Sequence, residues 1–486
     1  MPRILALAMS AAAVSASVMP RQPAVANNHV SFPIVERRNL PGGMVRGGSA
    51  ILNSALNKRA DTATLYNHTN IAYMIELDIG TPAQKVRVQI DTGSDELWVD
   101  PDCSTVSDKT SAAFCETVGR YNPAKSSTAQ DADATNELAY GKGTAEIAYV
   151  YDNIVVPGTN SSVLESVAFG VATSSEDAAV PIMGVGFGYG FNLEYYNIID
   201  ELFRQDVTNS RAFSIALGTT TDSDGTDDVG DNIENGVIIF GGIDTKKFSG
   251  TLYKFDNMPP QETADGPWRY FVQLDSVGYT KPGSKSSSKI GSSSIPVVLD
   301  TGSSLSYLPA NVMSSLASSL GSTVQSDGTI IVDCDLGDKG GSVDFTFGSL
   351  TVNVALNDFI WEGQGACALG AITASDDLPC LFGDTFLRSV YAVFDQDNKN
   401  IYMAKAANCG SNSQSLSAAG DFSFTGECSE VTSSSGSSSG SGSGSSSGSG
   451  SSSDSGSSKN AGVSRFGAVP TVAASLFAAV AGLMML

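Results

Sequence analysis

The sequence predicts a mainly β protein made of two duplicated lobes, with a cleft between the lobes and few short helices. The first observation is the tetrapeptide Asp-Thr-Gly-Ser, which occurs at residues 91–94 and again at residues 300–303, each time directly after an aliphatic run. The second is the stretch from residue 73 to about residue 406. Its short apolar runs, rich in Val, Ile, Tyr and Phe, are broken by Gly, Asn, Asp and Ser, as is typical of strands joined by turns. A motif repeated in matched contexts indicates duplicated lobes that meet at a cleft.

The duplication extends beyond the two Asp motifs. Residues 88–90 lead into Asp91 as residues 297–299 lead into Asp300. Each half later carries two hydrophobic residues followed by glycine: Ile182-Met183-Gly184 and Leu381-Phe382-Gly383. Helical periodicity is strongest in two stretches, residues 196–204 and 310–320.

The repeated aspartates, Asp91 and Asp300, are the predicted catalytic pair. When two carboxyl groups lie within hydrogen-bond reach, repulsion prevents both from ionising, so the pair holds one proton. The ionised member can take a proton from a water molecule while the protonated member donates to a scissile carbonyl oxygen, which requires no metal. The glycines of the motifs would permit close backbone approach, and the serines would hydrogen-bond the outer carboxylate oxygens. The predicted supporting residues are Thr92, Gly93, Ser94, Thr301, Gly302 and Ser303.

Other reaction classes lack their characteristic residues. Of only two histidines, His29 lies in a segment expected to be removed, which leaves His68 alone for a Ser-His-Asp, Cys-His or zinc site. None of the seven cysteines forms a C-x-x-C pair, and no P-loop is present. We therefore expect neither a metal nor a cofactor. The formal charge of −23 argues against nucleic acid as a partner.

The first 26 residues follow the pattern of a secretory signal. Arg3 precedes an apolar stretch, and small residues suited to cleavage lie near Ala16 and Ala26. The apolar stretch is too short to span a membrane stably, and the alternative is its retention as an anchor.

The basic segment at residues 27–59 is predicted to be a propeptide. It ends in the dibasic pair Lys58-Arg59, which suits a secretory processing protease, and Arg37-Arg38 is a second candidate cut. Removal of the signal, this segment and the C-terminal tail leaves 20 basic and 50 acidic residues, a formal charge of about −30. Protonation relieves such self-repulsion, so an acidic working environment is expected.

The C-terminal part predicts a lipid anchor. Residues 410–460 are expected to form a spacer, because almost every residue from 432 to 458 is Ser or Gly. Small residues and the apolar end at 461–486 then follow the layout of a glycosylphosphatidylinositol (GPI) signal, with Asn460 as the attachment residue and the tail removed. This predicts display on the outer plasma membrane, with transfer to the cell wall left open. The alternative is a C-terminal transmembrane helix.

These features resemble those of the pepsin-like aspartic proteases, and the layout is similar to that of the fungal yapsins and candidapepsins. Asp91 and Asp300 match the two catalytic aspartates of that family. Trp98 matches the tryptophan that follows the first motif, while Tyr140 and Gly141 match the β-hairpin flap whose tyrosine covers the substrate.

The resemblance covers about residues 60–409 and implies the bilobal pepsin-like acid protease fold, with lobes at 60–245 and 246–409. It also implies an aspartic endopeptidase made as a zymogen, monomeric, and active on extended protein or peptide substrates. Side-chain preference stays open.

The cysteines are expected to form disulfides because the chain is expected to be secreted. The resemblance implies two pairs, Cys103 with Cys115 and Cys334 with Cys367. Cys409 and Cys428 could close a loop before the spacer, which would leave Cys380 as a free thiol.

Two further features concern the surface. Asn67 and Asn160 begin N-glycosylation sequons. The acidic run at residues 222–234 is expected to be a solvated insertion, because its spacing does not follow a calcium-binding EF-hand loop.

Two rival functions are weighed against proteolysis. A catalytically silent binding or adhesive protein on the same fold should have lost an Asp or a flap residue, yet both Asp motifs and Tyr140 are intact. A glycosidase using two carboxylates would normally have a more aromatic groove, and the three tryptophans are scattered in the sequence.

Overall fold

A computed structural model of the chain describes residues 30–34, 72–141, 143–156, 162–218, 236–263, 266–363, 366–375, 379–420 and 422–429. The predicted signal and tail, with Asn460, lie outside these residues, as do the sequons at Asn67 and Asn160 and the acidic run. The prediction that the spacer begins at residue 410 is wrong, because residues 410–420 and 422–429 are described and contain a strand; the predicted spacer from residue 430 onward lies outside the described residues. The processing pair Lys58-Arg59 also lies outside them. None of the helices in the described ranges is both long and apolar enough to cross a membrane.

Strands dominate the described residues. In chain order they are β1 Val30–Ile34, β2 Met74–Ile79, β3 Gln84–Asp91, β4 Leu97–Val99, β5 Gln130–Ala139, β6 Thr144–Val155, β7 Val163–Glu176, β8 Ile182–Gly184, β9 Ala212–Ala216, β10 Gly236–Phe240, β11 Gly242–Asp244, β12 Phe248–Asp256, β13 Phe271–Thr280, β14 Ser287–Leu299, β15 Ser306–Leu308, β16 Ile331–Val332, β17 Ser342–Phe347, β18 Leu350–Ala355, β19 Ile360–Gly363, β20 Ala366–Leu369, β21 Ala371–Thr373, β22 Leu381–Phe382, β23 Val390–Asp395, β24 Asn400–Ala406 and β25 Ser413–Ser415.

The helices are short. They are α1 Lys109–Cys115, α2 Ile198–Arg204, α3 Pro260–Thr263, α4 Ala310–Leu320, α5 Leu356–Phe359 and α6 Asp384–Leu387, with 3-10 turns at Cys103–Thr105, Pro123–Lys125 and Cys334–Lys339.

The first half of the chain forms a seven-stranded sheet in the order β2-β3-β8-β4-β7-β6-β5. In strand β2, apolar and charged residues alternate, so one face of the strand is buried. Ile75, Leu77 and Ile79 are buried, while Glu76 and Asp78 stay partly exposed. Strand β5 is the edge of the sheet and pairs only with β6, with which it forms a long hairpin.

The second half repeats this arrangement in a seven-stranded sheet of order β18-β17-β13-β14-β22-β15-β21. The two Asp-bearing strands are equivalent: β3 pairs in parallel with β8, and β14 pairs in parallel with β22. The hydrophobic-hydrophobic-glycine elements predicted from the sequence are therefore the strands that lie beside each Asp strand. The internal duplication of the sequence is a duplication of structure.

A third sheet combines strands from both halves in the order β1-β10-β9-β23-β24-β12. Strand β23 is buried along its whole length, as its continuous apolar sequence indicates. Its edge strand β1 comes from the basic segment expected to be a propeptide and pairs antiparallel with β10. Residues 30–34 of that segment therefore form an edge strand of this sheet.

Both predicted helices are present. Helix α2 begins at Ile198, two residues later than the periodicity suggests, because Asn197 and Asp200 form a capping box at its start. Helix α4 spans the predicted residues 310–320 and ends where Gly321 adopts a left-handed φ of 72°.

Three disulfides join the described cysteines: Cys103–Cys115, Cys334–Cys367 and Cys409–Cys428. Cys380 is the remaining free thiol. The last of these bonds closes a C-terminal strap, residues 409–428, whose strand β25 pairs with β11. Leu416, Phe422 and Phe424 of the strap pack on an apolar cluster that includes Phe248 and Tyr402.

Candidate active site

Asp91 and Asp300 face each other between the two lobes. Asp91 is the last residue of β3 and Asp300 directly follows β14, so equivalent strands deliver the two carboxyl groups. A Cβ added to Gly93 would lie 2.5 Å from Asp300 Oδ1, and a Cβ on Gly302 would collide with Asp91 Oδ1. Glycine at each position is therefore what allows the opposite carboxyl group to approach.

The threonines of the two motifs lock the turns together. The Thr92 N–H donates to Thr301 Oγ1 at 3.1 Å, and the Thr301 N–H donates to Thr92 Oγ1 at 2.9 Å. Each hydroxyl in turn donates to a carbonyl of the opposite half, that of Leu299 at 2.7 Å or that of Ile90 at 2.8 Å. Both threonines are almost fully buried, so these bonds are protected from competition with water.

The two carboxyl groups have different hydrogen-bond partners. Asp91 Oδ1 accepts from the Gly93 N–H at 2.7 Å, and Asp91 Oδ2 accepts from Ser94 Oγ at 2.5 Å. Asp300 Oδ1 accepts from the Gly302 N–H at 2.8 Å.

The prediction for Ser303 is wrong. Its hydroxyl donates to the carbonyl of Leu305 at 3.0 Å instead of to Asp300. A serine in a turn can bond a backbone carbonyl two residues further on, and this local bond is the one made here. Ser94 alone of the two serines supports a catalytic carboxylate in the way the motif predicts.

The site favours one bound proton. Burial, followed by the negative charge of Asp91, raises the pKa of Asp300 well above its usual range, against the opposing effects of the Gly302 amide and the Arg269 charge. Asp300 is therefore suited to be the protonated member of the pair, while both oxygens of Asp91 accept hydrogen bonds within its own turn. The titration nevertheless belongs to the pair.

Tyr140 lies at the tip of the β5–β6 hairpin. Its hydroxyl accepts from Trp98 Nε1 at 2.7 Å, and its backbone N–H donates to the carbonyl of Gly143 at 3.1 Å. Burial raises the pKa of this hydroxyl well above its usual value, and the charge of Asp91 adds to the effect. Tyr140 therefore stays neutral beside the acidic pair, with Gly141 exposed next to it in the turn.

Three residues that the sequence did not single out contact the two motifs or Asp95, which directly follows the first motif. Arg269 Nη1 donates to the carbonyl of Gly93. Buried Gln89 donates to the carbonyl of Gly302 at 3.2 Å. Asn192 donates to Asp95 Oδ2 at 2.9 Å. Of these three residues, only Gln89 could have been found from the sequence, because it is a polar residue between two apolar residues of a predicted strand.

Asp95 is itself a buried acid next to the pair. Burial is the main cause that raises its pKa to about 7, although Asn192 and the charge of Arg269 oppose the shift. The site therefore contains a third carboxyl group that is protonated in acid.

The described residues contain no group of three or more His, Cys, Asp or Glu side chains placed to hold a metal ion. The two carboxyl groups can activate water by acid-base chemistry alone.

Comparisons with known proteins agree with this geometry. The family description "Eukaryotic aspartyl protease" matches residues 72–406. The chain is 30% identical over 380 residues to aspartic proteinase yapsin-3 of Saccharomyces cerevisiae, covering 73% of this chain and 70% of that protein. It is 29% identical to the probable aspartic-type endopeptidase opsB of Aspergillus oryzae, with 76% and 77% covered. It is also 29% identical to secreted aspartic protease 8 of Candida albicans, with 72% and 79% covered.

The crystal structure of the aspartic proteinase from Irpex lacteus matches with a TM-score of 0.54 at 21% identity, covering 70% of this chain and 95% of that one. At that identity the likeness concerns the fold. The mainly β bilobal fold thus defines an acid-protease-like protein. The family match then shows that the chain belongs to the eukaryotic aspartyl protease family, as an aspartic-type endopeptidase with fungal pepsin-like relatives. The resemblance stated from the motifs is confirmed.

Proposed function

We propose that this protein is a secreted, surface-anchored aspartic endopeptidase that hydrolyses extended protein substrates at acidic pH through Asp91 and Asp300. The observation that carries the proposal is the pairing of these two carboxyl groups by reciprocal Thr92–Thr301 hydrogen bonds. The arrangement holds both side chains where one water molecule can contact them together.

In the proposed reaction, ionised Asp91 takes a proton from water and protonated Asp300 donates to the scissile carbonyl oxygen. The new bond joins the water oxygen to the carbonyl carbon, and the tetrahedral intermediate then expels the amine, which takes up a proton. Protons leave and enter through the pair, so no covalent enzyme intermediate forms. Ser94 and the Gly93 amide hold Asp91 in place during both steps.

The hairpin that carries Tyr140 is proposed to cover the substrate. Strand β5 is largely exposed along its length, whereas Tyr140 itself packs towards Trp98 and Ile147. Closure of such a hairpin excludes water from the reacting groups, which strengthens their electrostatic interactions.

The order of segments proposed for the chain is a signal at 1–26, a propeptide at 27–59, lobes at 60–245 and 246–409, the folded strap up to residue 428, a spacer from there to residue 460 and a removed tail at 461–486. Cutting after Lys58-Arg59 by a dibasic-processing protease would produce a monomer. GPI lipid at Asn460 would join this monomer to the outer face of the plasma membrane. The names of the relatives support the secretory route, since one is a secreted aspartic protease and another a yapsin.

The test is cleavage of a denatured protein between about pH 3 and pH 7 by processed wild type, Asp91→Asn and Asp300→Asn. We expect wild-type cleavage at acid pH that pepstatin abolishes, and no cleavage by either variant. Equal display of all three proteins on cells, and their release by a phospholipase specific for GPI, would support the anchor. Folded, processed wild type without activity would favour a silent binding protein instead.

A further inference from the structure

Another buried carboxyl group, that of Glu96, lies near the flap hairpin. Glu96 is 9% exposed and directly precedes strand β4. Its Oε2 accepts from the Tyr149 hydroxyl at 2.7 Å, and its Oε1 accepts from Asn136 Nδ2 at 3.3 Å. Asn136 Nδ2 also lies 3.3 Å from the Tyr149 hydroxyl, so the three side chains form one cluster.

The cluster connects both strands of the flap hairpin to the loop that follows Asp91. Asn136 lies on β5 and Tyr149 lies on β6. Strand β6 is paired along its length with β7, but β5 is an edge strand held only by β6. The bond from Asn136 to Glu96 is therefore a direct side-chain connection between the free strand of the flap and the body of the lobe.

Glu96 and Trp98 give the flap two attachment points on one short segment. Trp98 bonds Tyr140 at the tip of the hairpin, while Glu96 bonds Asn136 four residues earlier. The same segment begins with Asp91 and is fixed to it through Ser94. The position of the flap is thus set from the chain segment that positions the catalytic carboxylate.

The groups that face Glu96 are mostly neutral. Burial raises the pKa of Glu96, whereas the hydrogen bonds from Tyr149 and Asn136 oppose the rise. The Tyr149 and Tyr195 rings meet edge to face with centroids 5.5 Å apart, so a neutral aromatic side chain packs against the cluster. The cluster can therefore persist with a neutral glutamic acid at the acidic pH proposed for the enzyme.

We propose that Glu96 is a positioning residue that holds the flap at the height required for substrate binding. The proposal rests on the proposed function of the dyad and the flap. Without the bonds to Asn136 and Tyr149, β5 would lose its side-chain attachment to the segment that carries Glu96 and would be held there only by its pairing with β6. The closed state of the flap would become less populated, and substrate binding would weaken in proportion.

Kinetics on peptide substrates test the proposal with four single variants and one double variant. We expect Glu96→Ala to raise KM about tenfold with kcat within about threefold of wild type, because the dyad itself is unchanged. Glu96→Gln keeps an acceptor and a neutral side chain, and should stay within about twofold of wild type at acid pH. Tyr149→Phe should raise KM, and adding it to Glu96→Ala should have no further effect. Tyr151→Phe, on the same strand but exposed, is the matched control.

Hydrogen exchange gives a readout that needs no turnover. We expect amides of β5 to exchange at least about tenfold faster in Glu96→Ala, while those of β7 keep the wild-type rate. Unchanged KM and β5 exchange, additive effects of the two substitutions, or faster exchange throughout the lobe would each overturn the proposal. If Glu96→Ala does not fold, Tyr149→Phe provides the same two measurements. Absence of cleavage by wild type would instead overturn the proposed function, and β5 exchange would still decide the role of Glu96.

Discussion

Thr92 and Thr301, 209 residues apart in the chain, exchange equivalent hydrogen bonds, each backbone N–H donating to the hydroxyl of the other. These bonds are equivalent in the two lobes, so each lobe holds the Asp turn of the other. Neither turn could make its threonine hydrogen bonds without the opposite lobe. The geometry of the proposed catalytic pair is therefore a property of the interface between the lobes.

Replacement of Thr301 by Val should destabilise this interface. The substitution keeps the shape of the side chain but leaves the Thr92 N–H and the Ile90 carbonyl without their partner in a buried site. We expect a loss of about 2–4 kcal/mol in the free energy of unfolding, together with reduced kcat. Denaturant unfolding and peptide kinetics measure both. Thr301→Ser retains the hydroxyl and should recover most of the loss; equal damage from Ser and Val would contradict the role given to the hydroxyl.

Much of this site follows from short motifs. The paired Asp turns, Tyr140 and Trp98 were expected, and the structure brings them together because equivalent strands of a duplicated sheet end at the same place. Local patterns determine such strand-end turns, and duplication then determines their pairing. The fold class could be predicted for the same reason, from periodicity and repetition.

The parts that could not be predicted depend on contacts between distant residues. The same tetrapeptide gives Ser94 and Ser303 different partners, since a local carbonyl captures only the second hydroxyl. Asp95 follows the motif as an ordinary acidic residue would, and only the fold reveals that Asn192 and Arg269 enclose it. The pairing of β1 with β10 joins residues about 200 positions apart, which periodicity cannot specify.

Arg269 should set the upper pH limit of activity. Its positive charge opposes the rise in the pKa of Asp300, so Arg269→Gln should raise that pKa further. Because the reaction requires one proton on the pair, activity should then extend to higher pH, by about half to one unit in the alkaline limb. A pH profile of kcat/KM measures the shift. The exposed Lys281→Gln variant is the control for loss of charge elsewhere, and a limb that moves to lower pH in Arg269→Gln would contradict the electrostatic role.

Asp95 should make the folded state less stable at neutral pH. Its raised pKa means that the folded protein binds this proton more tightly than the unfolded chain does. The contribution of protonated Asp95 to the free energy of unfolding is therefore complete in acid, and it is lost as pH rises from about 4 through about 7. For one group the slope reaches at most about 1.4 kcal/mol per pH unit.

Asp95→Asn replaces the titrating carboxyl group by an amide that does not titrate. The free energy of unfolding of this variant should therefore fall less steeply than that of wild type over the same pH interval. Denaturant unfolding at several pH values measures the difference between the two slopes. Asp335→Asn, at an exposed position, should follow the wild-type slope. A slope for Asp95→Asn as steep as that of wild type would show that Asp95 does not contribute to the pH dependence.

The C-terminal strap should stabilise the sheet that both halves share. The Cys409–Cys428 bond closes a separation of 19 residues, and a cross-link of that length restricts the unfolded chain by about 3 kcal/mol. Phe422 and Phe424 add apolar contacts on the sheet side of the strap. The strap lies beyond residue 406, where the family match ends. Replacing both cysteines by Ala should therefore lower the thermal midpoint by several degrees while leaving kcat and KM unchanged, because the strap makes none of the contacts found at the dyad.

Cys380→Ala, which removes the thiol that forms no disulfide, controls for the loss of a cysteine. A thermal midpoint that stays at the wild-type value would mean that the packing of Leu416 and its neighbours alone holds the strap in place.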